Sequence, residues 1–454
     1  MKQILSGSDA VKILLGKQEI KNNEKFRFIK FLLFYKADGQ YLIYNDLTKQ
    51  LLLLTKQELD SVKICILKEQ RNPLIDQLIR EWFLVSDTFN ELNLCEQVRI
   101  IVKNTRQIDY ISNYNILTTT MCNAHCFYCY QAGANQSIMS SKIAEDVAEY
   151  IIKNNKGHTV RINWFGGEPL CNVKAIDIIC RKLKKVNVKF YSVMTTNASL
   201  FNDELLERAS DLWNLKWLQI TVDGTCEKYD SIKNFKDKSK HNFNNVISNI
   251  EKICKKNIPI HLRMNMDKHN NSDLFDLADY LYEKFNKYEN FTPYVNLLYE
   301  NVGYVKTVRT NEERVLITRQ YVKLCKYIES KFKRHRTMGF GELKVCACLA
   351  DRKESVLISP NGDLGFCEHH VDDDFFGTIY DEIKKPAWCK YKSKAERCKR
   401  CPVYCSCLRL EKCPNAQHEC YDYILYGKIR NIQFGMKKAY LDAVESGKIV
   451  DVVL

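Results

Sequence analysis

No apolar run in the chain approaches the ~20 consecutive residues a helix needs to cross a bilayer. The amino-terminal residues lack the apolar stretch of a secretory signal, so the cytoplasm is the expected compartment. No low-complexity linker and no fixed-period repeat occurs, which excludes solenoids and disordered tethers. Acidic residues are the scarcer charge, 55 against 69 Lys and Arg, leaving a net +14. The basic runs at Lys233–Lys240, Lys331–Arg336 and Lys390–Arg400 lack regular interleaved aromatics, which argues against RNA as a partner. Each such run reads as a solvated face. What remains is an ordinary globular composition, 45% hydrophobic and 27% charged, in 454 residues, enough for two or three domains.

The abundant residue is cysteine. Twenty cysteines in a reducing compartment are not a disulfide framework. Three stand together at Cys122, Cys126 and Cys129, ten lie between Cys346 and Cys420, and seven are scattered. The scattered thiols (Cys65, Cys95, Cys171, Cys180, Cys226, Cys254, Cys325) read as core filling. The clustered ones read as metal ligands.

Residues 25–55 alternate as strands: Phe26–Ile29, Phe31–Tyr35, Tyr41–Tyr44 and Leu51–Leu54, with Asp38-Gly39 as a hairpin turn. Asn72-Pro73 is a cap and first-turn proline opening a helix over Leu74, Ile75, Leu78, Ile79 and Trp82. Together these describe a small winged-helix-like module over residues 1–105. From residue 106 to 335 strands alternate with helices. The strand-like runs are Tyr114–Thr120, Thr159–Trp164, Lys189–Thr195, Trp217–Val222, Ile258–Met266 and Pro293–Tyr299; the helices include Ser140–Lys153, Asn202–Leu212 and Ser272–Phe285. Six such repeats predict an α/β fold with a parallel sheet curling into a partial (β/α)6 barrel. Ligands of such sheets bind at the carboxyl ends of strands. The motifs fall there: the cysteine loop after the first strand, Gly166-Gly167-Glu168-Pro169 after the second, Thr196-Asn197 after the third and Asp223-Gly224 after the fourth.

Three thiolates at Cys-x3-Cys-x2-Cys spacing can hold three irons of a [4Fe–4S] cube and leave the fourth without a protein ligand, whereas electron-carrier clusters are saturated by four cysteines. Zinc is the bland alternative, but it favours paired Cys-x2-Cys units closed by four ligands. In the glycine pair, backbone can approach a ligand closely, and Glu168 offers an anionic acceptor for an ammonium group. With Tyr128 as the aromatic before the last thiol, the loop resembles the Cys-x3-Cys-x-aromatic-Cys signature of radical S-adenosylmethionine (radical SAM) enzymes. The resemblance extends to Gly166-Gly167-Glu168-Pro169, which looks like their GGEP element. It implies that Glu168 holds the SAM amino group, that Tyr128, Gly166, Gly167, Thr196, Asn197 and Asp223 line its site, and that Arg263 reaches the SAM carboxylate. For Thr196, Asn197 and Asp223 the alternative is ordinary strand-end turn chemistry.

Cys348-x13-Gly362-x4-Cys367, followed by Cys398-x2-Cys401-x5-Cys407, Cys413 and Cys420, resembles the SPASM domain, a carrier of two auxiliary [4Fe–4S] clusters. The resemblance assigns Cys346, Cys348, Cys367 and Cys413 to one cube and Cys398, Cys401, Cys407 and Cys420 to the other. Here five residues separate Cys407 from Cys413 where the family pattern has three, which puts Cys389, Cys405 and Cys413 in doubt. Zinc on Cys398 and Cys401 with two later thiols is the alternative. Residues 336–425 are the expected SPASM domain and 426–454 a tail. Glu368 occupies a place where some relatives carry a catalytic base; an exposed glutamate is the plain alternative.

The front module resembles the PqqD-like element that binds leader peptides as an added edge strand. The whole pattern resembles maturases of ribosomally made peptides. The expected cofactors are SAM and three [4Fe–4S] clusters. The expected partners are a precursor peptide with a leader and a flavodoxin or ferredoxin donor, with no membrane or nucleic acid. The expected reaction is an intrapeptide cross-link, thioether or carbon–carbon. Formylglycine formation as in anaerobic sulfatase maturases, peptide epimerisation, and non-catalytic iron–sulfur electron transfer are the alternatives.

Overall fold

A computed structural model of the chain describes all residues except 19–23, 106–107, 299, 301–302, 305–307, 334–339, 342, 392–393, 414–419, 421 and 452–454. Tyr299 and the end of the Lys331–Arg336 run therefore lie outside the described residues. Two compact units emerge: Met1–Gln107 with Arg336–Ala347 and Lys390–Leu454, and Ile108–His335 with Cys348–Cys389. The expected 336–425 stretch is thus shared between them.

In the first unit β1 (Lys2–Leu5), α1 (Asp9–Leu15), β2 (Phe26–Phe28), β3 (Leu32–Ala37), β4 (Gln40–Asn45) and β5 (Leu51–Leu54) lead to α2 (Lys56–Lys68), α3 (Pro73–Arg80), β6 (Leu84–Ser86) and α4 (Glu91–Thr105). Asp38 and Gly39 both have positive φ, the geometry of a tight hairpin, and Ala37 pairs with Gln40 across them. Asn72 caps α3, its side chain accepting from the Ile75 N–H. Trp82, read as the last residue of that helical face, instead lies past the helix end with φ 64°.

The second unit carries a nine-stranded sheet. Its parallel portion runs in order through β7 (Asn113–Thr119), β8 (Val160–Gly166), β9 (Phe190–Thr196), β10 (Leu215–Thr221), β11 (Ile260–Met266) and β12 (Phe291–Leu297). The helices between them are α5 (Ser141–Asn154), α6 (Val173–Lys185), α7 (Asp203–Asp211), α8 (Cys226–Lys233), α9 (Phe243–Lys255) and α10 (Asp273–Phe285), with α11 (Asn311–Phe332) after β12. This is the expected six-strand β/α partial barrel. Beyond β7 the sheet continues with β13 (Ser355–Ile358), parallel to β7, and the antiparallel β14 (Asp363–Gly365) and β15 (Gly377–Thr378). A turn at Asn361-Gly362 joins β13 to β14, Gly362 taking φ 88°.

The chain ends in α12 (Asp422–Glu445) and β16 (Val450–Asp451), both in the first unit. There β16 pairs with β1, giving a five-stranded sheet in the order β16-β1-β5-β4-β3. The cysteine-rich segment after residue 390 lacks apolar residues for a core of its own. It inserts Tyr404 and Cys405 into the core built around Phe31, Leu54 and Ile75. Of the scattered cysteines, Cys65, Cys95, Cys180 and Cys254 are buried as expected. Cys171 and Cys226 are exposed, and Cys325 is half-buried, a correction to core filling. Among the described residues, no helix is long and apolar enough to cross a membrane.

Candidate active site

Alternation along the barrel strands sends one set of side chains outward under the helices and the other onto the concave face. Ile162, Trp164, Leu218, Ile220, Leu262 and Met264 are buried. The intervening positions are polar. The Tyr294 hydroxyl donates to Gln219 Oε1 at 2.8 Å, spanning β11, so both lie on the concave side. Asn163 donates to Asn115 at 3.0 Å on the same face.

The cysteine loop leaves the carboxyl end of β7 and is held from several sides. The Gly167 N–H donates to the Thr119 carbonyl at 3.0 Å and the Glu168 N–H to Met121 at 2.9 Å, which ties the end of β8 to the residue before Cys122. A Cβ on Gly166 would lie 2.1 Å from the Thr119 carbonyl oxygen, and one on Gly167 2.2 Å from that of Met121. The glycine pair therefore permits close approach to the protein's own backbone, where the sequence suggested approach to a ligand. Asn123 donates to Ser199 and accepts from the Asn197 amide, each at 2.8 Å. From beyond β12, the Tyr304 N–H donates to Phe127 at 2.9 Å and the Tyr304 ring stacks 4.0 Å from His125. At Gly303, with φ 99°, any side chain would strike the Phe127 carbonyl at 2.6 Å. Sequence reasoning missed Asn123, Gly303 and Tyr304.

Cys122, Cys126 and Cys129 are all half-buried. Burial pushes their thiols up, that of Cys126 to about 11. Glu168 is 1% exposed. It accepts from Thr196 Oγ1 at 2.8 Å, the Asn197 N–H at 2.8 Å and the Leu170 N–H at 3.2 Å; even so, burial pushes its carboxyl up to about 7. Asp223 is fully buried. It accepts from the Tyr128 hydroxyl, from the Asn265 N–H at 2.9 Å and from Lys233 Nζ at 3.0 Å. The expected contacts Tyr128, Thr196, Asn197 and Asp223 thus come together with Glu168 at the strand ends, but their polar atoms largely brace one another and the loop.

Lys233 corrects the reading of a solvated run: it is 1% exposed. Its one signal in the sequence is Tyr229 four residues earlier, which marks the buried face of α8.

Arg263 is half-buried on β11, and its charge acts on Tyr130 and His369. The Tyr130 ring stacks 6.3 Å from Phe165 and lies 4.2 Å from His369. Glu368 belongs to this group. It is half-buried, and desolvation raises its carboxyl above the usual range. Burial likewise pulls His369 down to about 4. Tyr130 stands within electrostatic reach of both Cys129 and Cys367.

In the first unit, Cys407, Cys420 and Cys398 all act electrostatically on Cys401, so the four thiols expected for one auxiliary cube stand within reach of one another. Burial pushes Cys401 up to about 11. Burial also acts on Cys407, but Lys428, donating to its Sγ at 2.9 Å, together with Lys394 and Lys344 brings the thiol below its ordinary value. Cys405 is fully buried beside Cys95 instead. Of the other expected set, Cys346 and Cys413 belong to the first unit and Cys348 and Cys367 to the second. Lys385 Nζ donates to the carbonyls of Leu349, Arg352 and Ser355 at 2.8–3.1 Å, close enough to feel Cys348 and Cys367. Among the described residues, no three His, Cys, Asp or Glu side chains are placed to share a single metal ion. A cube is held by thiolates on separate irons and needs no such convergence. Three soft donors on one braced loop fit that group.

Comparison with known proteins agrees. The model of the Radical SAM superfamily matches residues 116–281, so the chain carries a radical SAM domain. A GTP 3',8-cyclase of Clostridium perfringens (strain SM101 / Type A) is 24% identical over 185 residues, 40% of this chain and 54% of that protein. The match thus spans about half the length of this curated relative. Among solved structures, native anSMEcpe with bound AdoMet superposes with TM-score 0.55 at 14% identity, covering 73% of this chain and 99% of that one. Native anSMEcpe with bound AdoMet and the Cp18Cys peptide gives TM-score 0.53 at 15% identity over the same shares. The fold is the one these structures share.

Proposed function

We propose that the protein is a radical SAM maturase that installs an intrapeptide cross-link, thioether or carbon–carbon, on a ribosomally synthesised precursor peptide. The observation that carries this reading is the braced loop presenting Cys122, Cys126 and Cys129 where four strand-end motifs meet. When bound there, a [4Fe–4S] cube with SAM supplies a 5′-deoxyadenosyl radical for hydrogen abstraction. The chain's own residues do the rest. Glu168 accepts the SAM ammonium, and Arg263 faces its carboxylate. The polar concave face receives the peptide and orients one carbon for attack. Glu368 takes up the proton released as the substrate is oxidised, and desolvation strengthens its carboxylate as a base. Cys398, Cys401, Cys407 and Cys420 hold a second cube. The β3 edge of the amino-terminal sheet takes the leader as an added strand, in the PqqD-like manner. A flavodoxin or ferredoxin is the donor.

The second reading is oxidation of a Cys or Ser to formylglycine. It draws on the desolvated Glu368 carboxyl next to Cys367, placed as a base for that reaction would be. Anaerobic reconstitution with a peptide encoded beside the gene, followed by mass spectrometry, separates the two. Loss of two hydrogens without a trappable aldehyde supports cross-linking; an aldehyde supports formylglycine; deuterium uptake from solvent indicates epimerisation. Absence of 5′-deoxyadenosine under reductant overturns the whole reading.

A further inference from the structure

Lys233 ends α8 with its ammonium fully enclosed. Nζ donates to Thr221 Oγ1 at 2.5 Å and to the Tyr128 hydroxyl at 2.9 Å, and pairs with Asp223 at 3.0 Å. It also stands 5.5 Å from the Tyr128 ring centroid and 5.6 Å from that of Tyr229. The same residue's main-chain carbonyl accepts from the His125 N–H at 2.9 Å and lies 3.9 Å from Cys126 Sγ. Side chain and backbone of one lysine therefore clamp the cysteine loop. A charge kept away from water is costly unless paired, and Asp223 pairs it. At Cys126 the lysine acts more strongly than Asp223, and it acts on Cys129 as well.

We propose that Lys233 is a positioning residue whose fixed positive charge raises the reduction potential of the cube held by Cys122, Cys126 and Cys129. This rests on the reading above that those thiols hold a [4Fe–4S] cube. In the step concerned, one electron passes from an external reductant to the cube; the reductant is oxidised, no bond forms or breaks, and no proton moves. The added negative charge is what the ammonium stabilises. Net charge and hydrogen bonding around a cluster set its potential.

The test is a mediated redox titration of the anaerobically reconstituted full chain, using dithionite as reductant. It is followed by electron paramagnetic resonance, and the SAM-responsive signal identifies the cluster. Removing a unit charge at interior dielectric changes a one-electron equilibrium by roughly tenfold. In K233M the reduced-to-oxidised ratio at fixed potential should therefore fall about tenfold, equivalent to 59 mV. K233R should stay near the wild type, and D223N, which leaves the lysine unmatched, should move the other way. K240M, which removes a lysine that is 76% exposed, should change nothing. A K233M protein with full iron and a ratio within twofold of wild type overturns the proposal. Should K233M fail to hold iron, D223N decides: a potential that falls or stays fixed overturns it. A wild-type protein with no SAM-responsive cluster sinks the functional reading and this one together. A responsive wild type with an unmoved K233M sinks this one alone.

Discussion

Replacing Gly167 with alanine adds one carbon against backbone that cannot swing aside. That carbon would meet the Met121 carbonyl oxygen at 2.2 Å, its carbon at 2.5 Å and the Thr120 oxygen at 2.6 Å. Comfortable carbon contacts begin near ~3.5 Å, so the end of β8 must move about 1 Å from the loop. Overpacking of this kind costs about 1–3 kcal/mol, and rigid neighbours place it at the upper end. The Gly167-to-Thr119 and Glu168-to-Met121 hydrogen bonds stretch with it, adding about 1 kcal/mol each. A sum of about 5 kcal/mol lowers the midpoint of barrel unfolding by on the order of 10 °C at this size. Because Met121 directly precedes Cys122, roughly four irons should also be lost from a reconstituted preparation. The assay is thermal unfolding of cluster-free protein beside anaerobic iron analysis. Gly157→Ala serves as the comparison: its φ of 81° is strained for alanine but nothing lies within 4 Å, so about 1 kcal/mol is expected. A Gly167→Ala protein that melts within 2 °C of wild type (about half a kcal/mol) with full iron refutes the reasoning.

Thr196→Val keeps shape while removing the donor to Glu168 and the acceptor for the Ala198 N–H, and should cost about 1–3 kcal/mol in cluster-free protein. Unchanged unfolding with weakened SAM binding alone would mean that Thr196 serves the ligand and not the fold. Burial raises Glu168 to about 7 from an ordinary 4.5. A carboxyl raised on folding stabilises fully below its unfolded pKa, and that contribution fades as pH climbs through the folded value. Between pH 5 and 8, cluster-free wild type should therefore lose stability relative to Glu168→Gln by on the order of 3 kcal/mol; parallel denaturation curves at the two pH values would contradict this. Cys407→Ser should remove roughly four irons per chain. Cys405→Ala should keep all iron while losing about 1–2 kcal/mol of packing, since Cys405 is sealed in the core beside Cys95. Equal iron loss in both variants would place Cys405 among the ligands.

The barrel was legible because each strand carries its own apolar run, and the first four add a strand-end motif within a few residues. All six parallel strands lie within a few residues of where that pattern puts them. The amino-terminal hairpin was legible for the same reason, since Asp38-Gly39 encodes its turn locally. What was hidden depends on distant pairing. The bond between β1 and β16 joins opposite ends of the sequence across two residue pairs, with no motif at either end. The cysteine-rich segment's share in the first unit's core rests on Tyr404, which stacks 5.9 Å from Phe31, far earlier in the sequence. Lys233 was misread because a run of lysines looks solvated, while its burial is fixed by Asp223, a residue on another element.

The residues most easily taken for cofactor contacts are also those that hold the loop. Thr196 and the Asn197 backbone hold Glu168, the Asn197 side chain secures Asn123 inside the cysteine motif, and Asp223 secures Tyr128. The Asn197 and Asp223 bonds join the ends of β9 and β10 to the loop, the Glu168 N–H ties the end of β8 to Met121, and so all three strands fix the loop's position before any ligand arrives. The entropy of ordering the loop is spent in folding and not in binding, which is how a short segment presents three thiols in one arrangement. A residue with both duties leaves a mixed trace in any activity assay, because weakened binding and a loosened loop both lower turnover. The two separate only in the cofactor-free protein, where a ligand contact is silent and a brace is not. The glycine pair shows the principle most sharply: its motif announces a ligand site, while its atoms act on the backbone leading into Cys122.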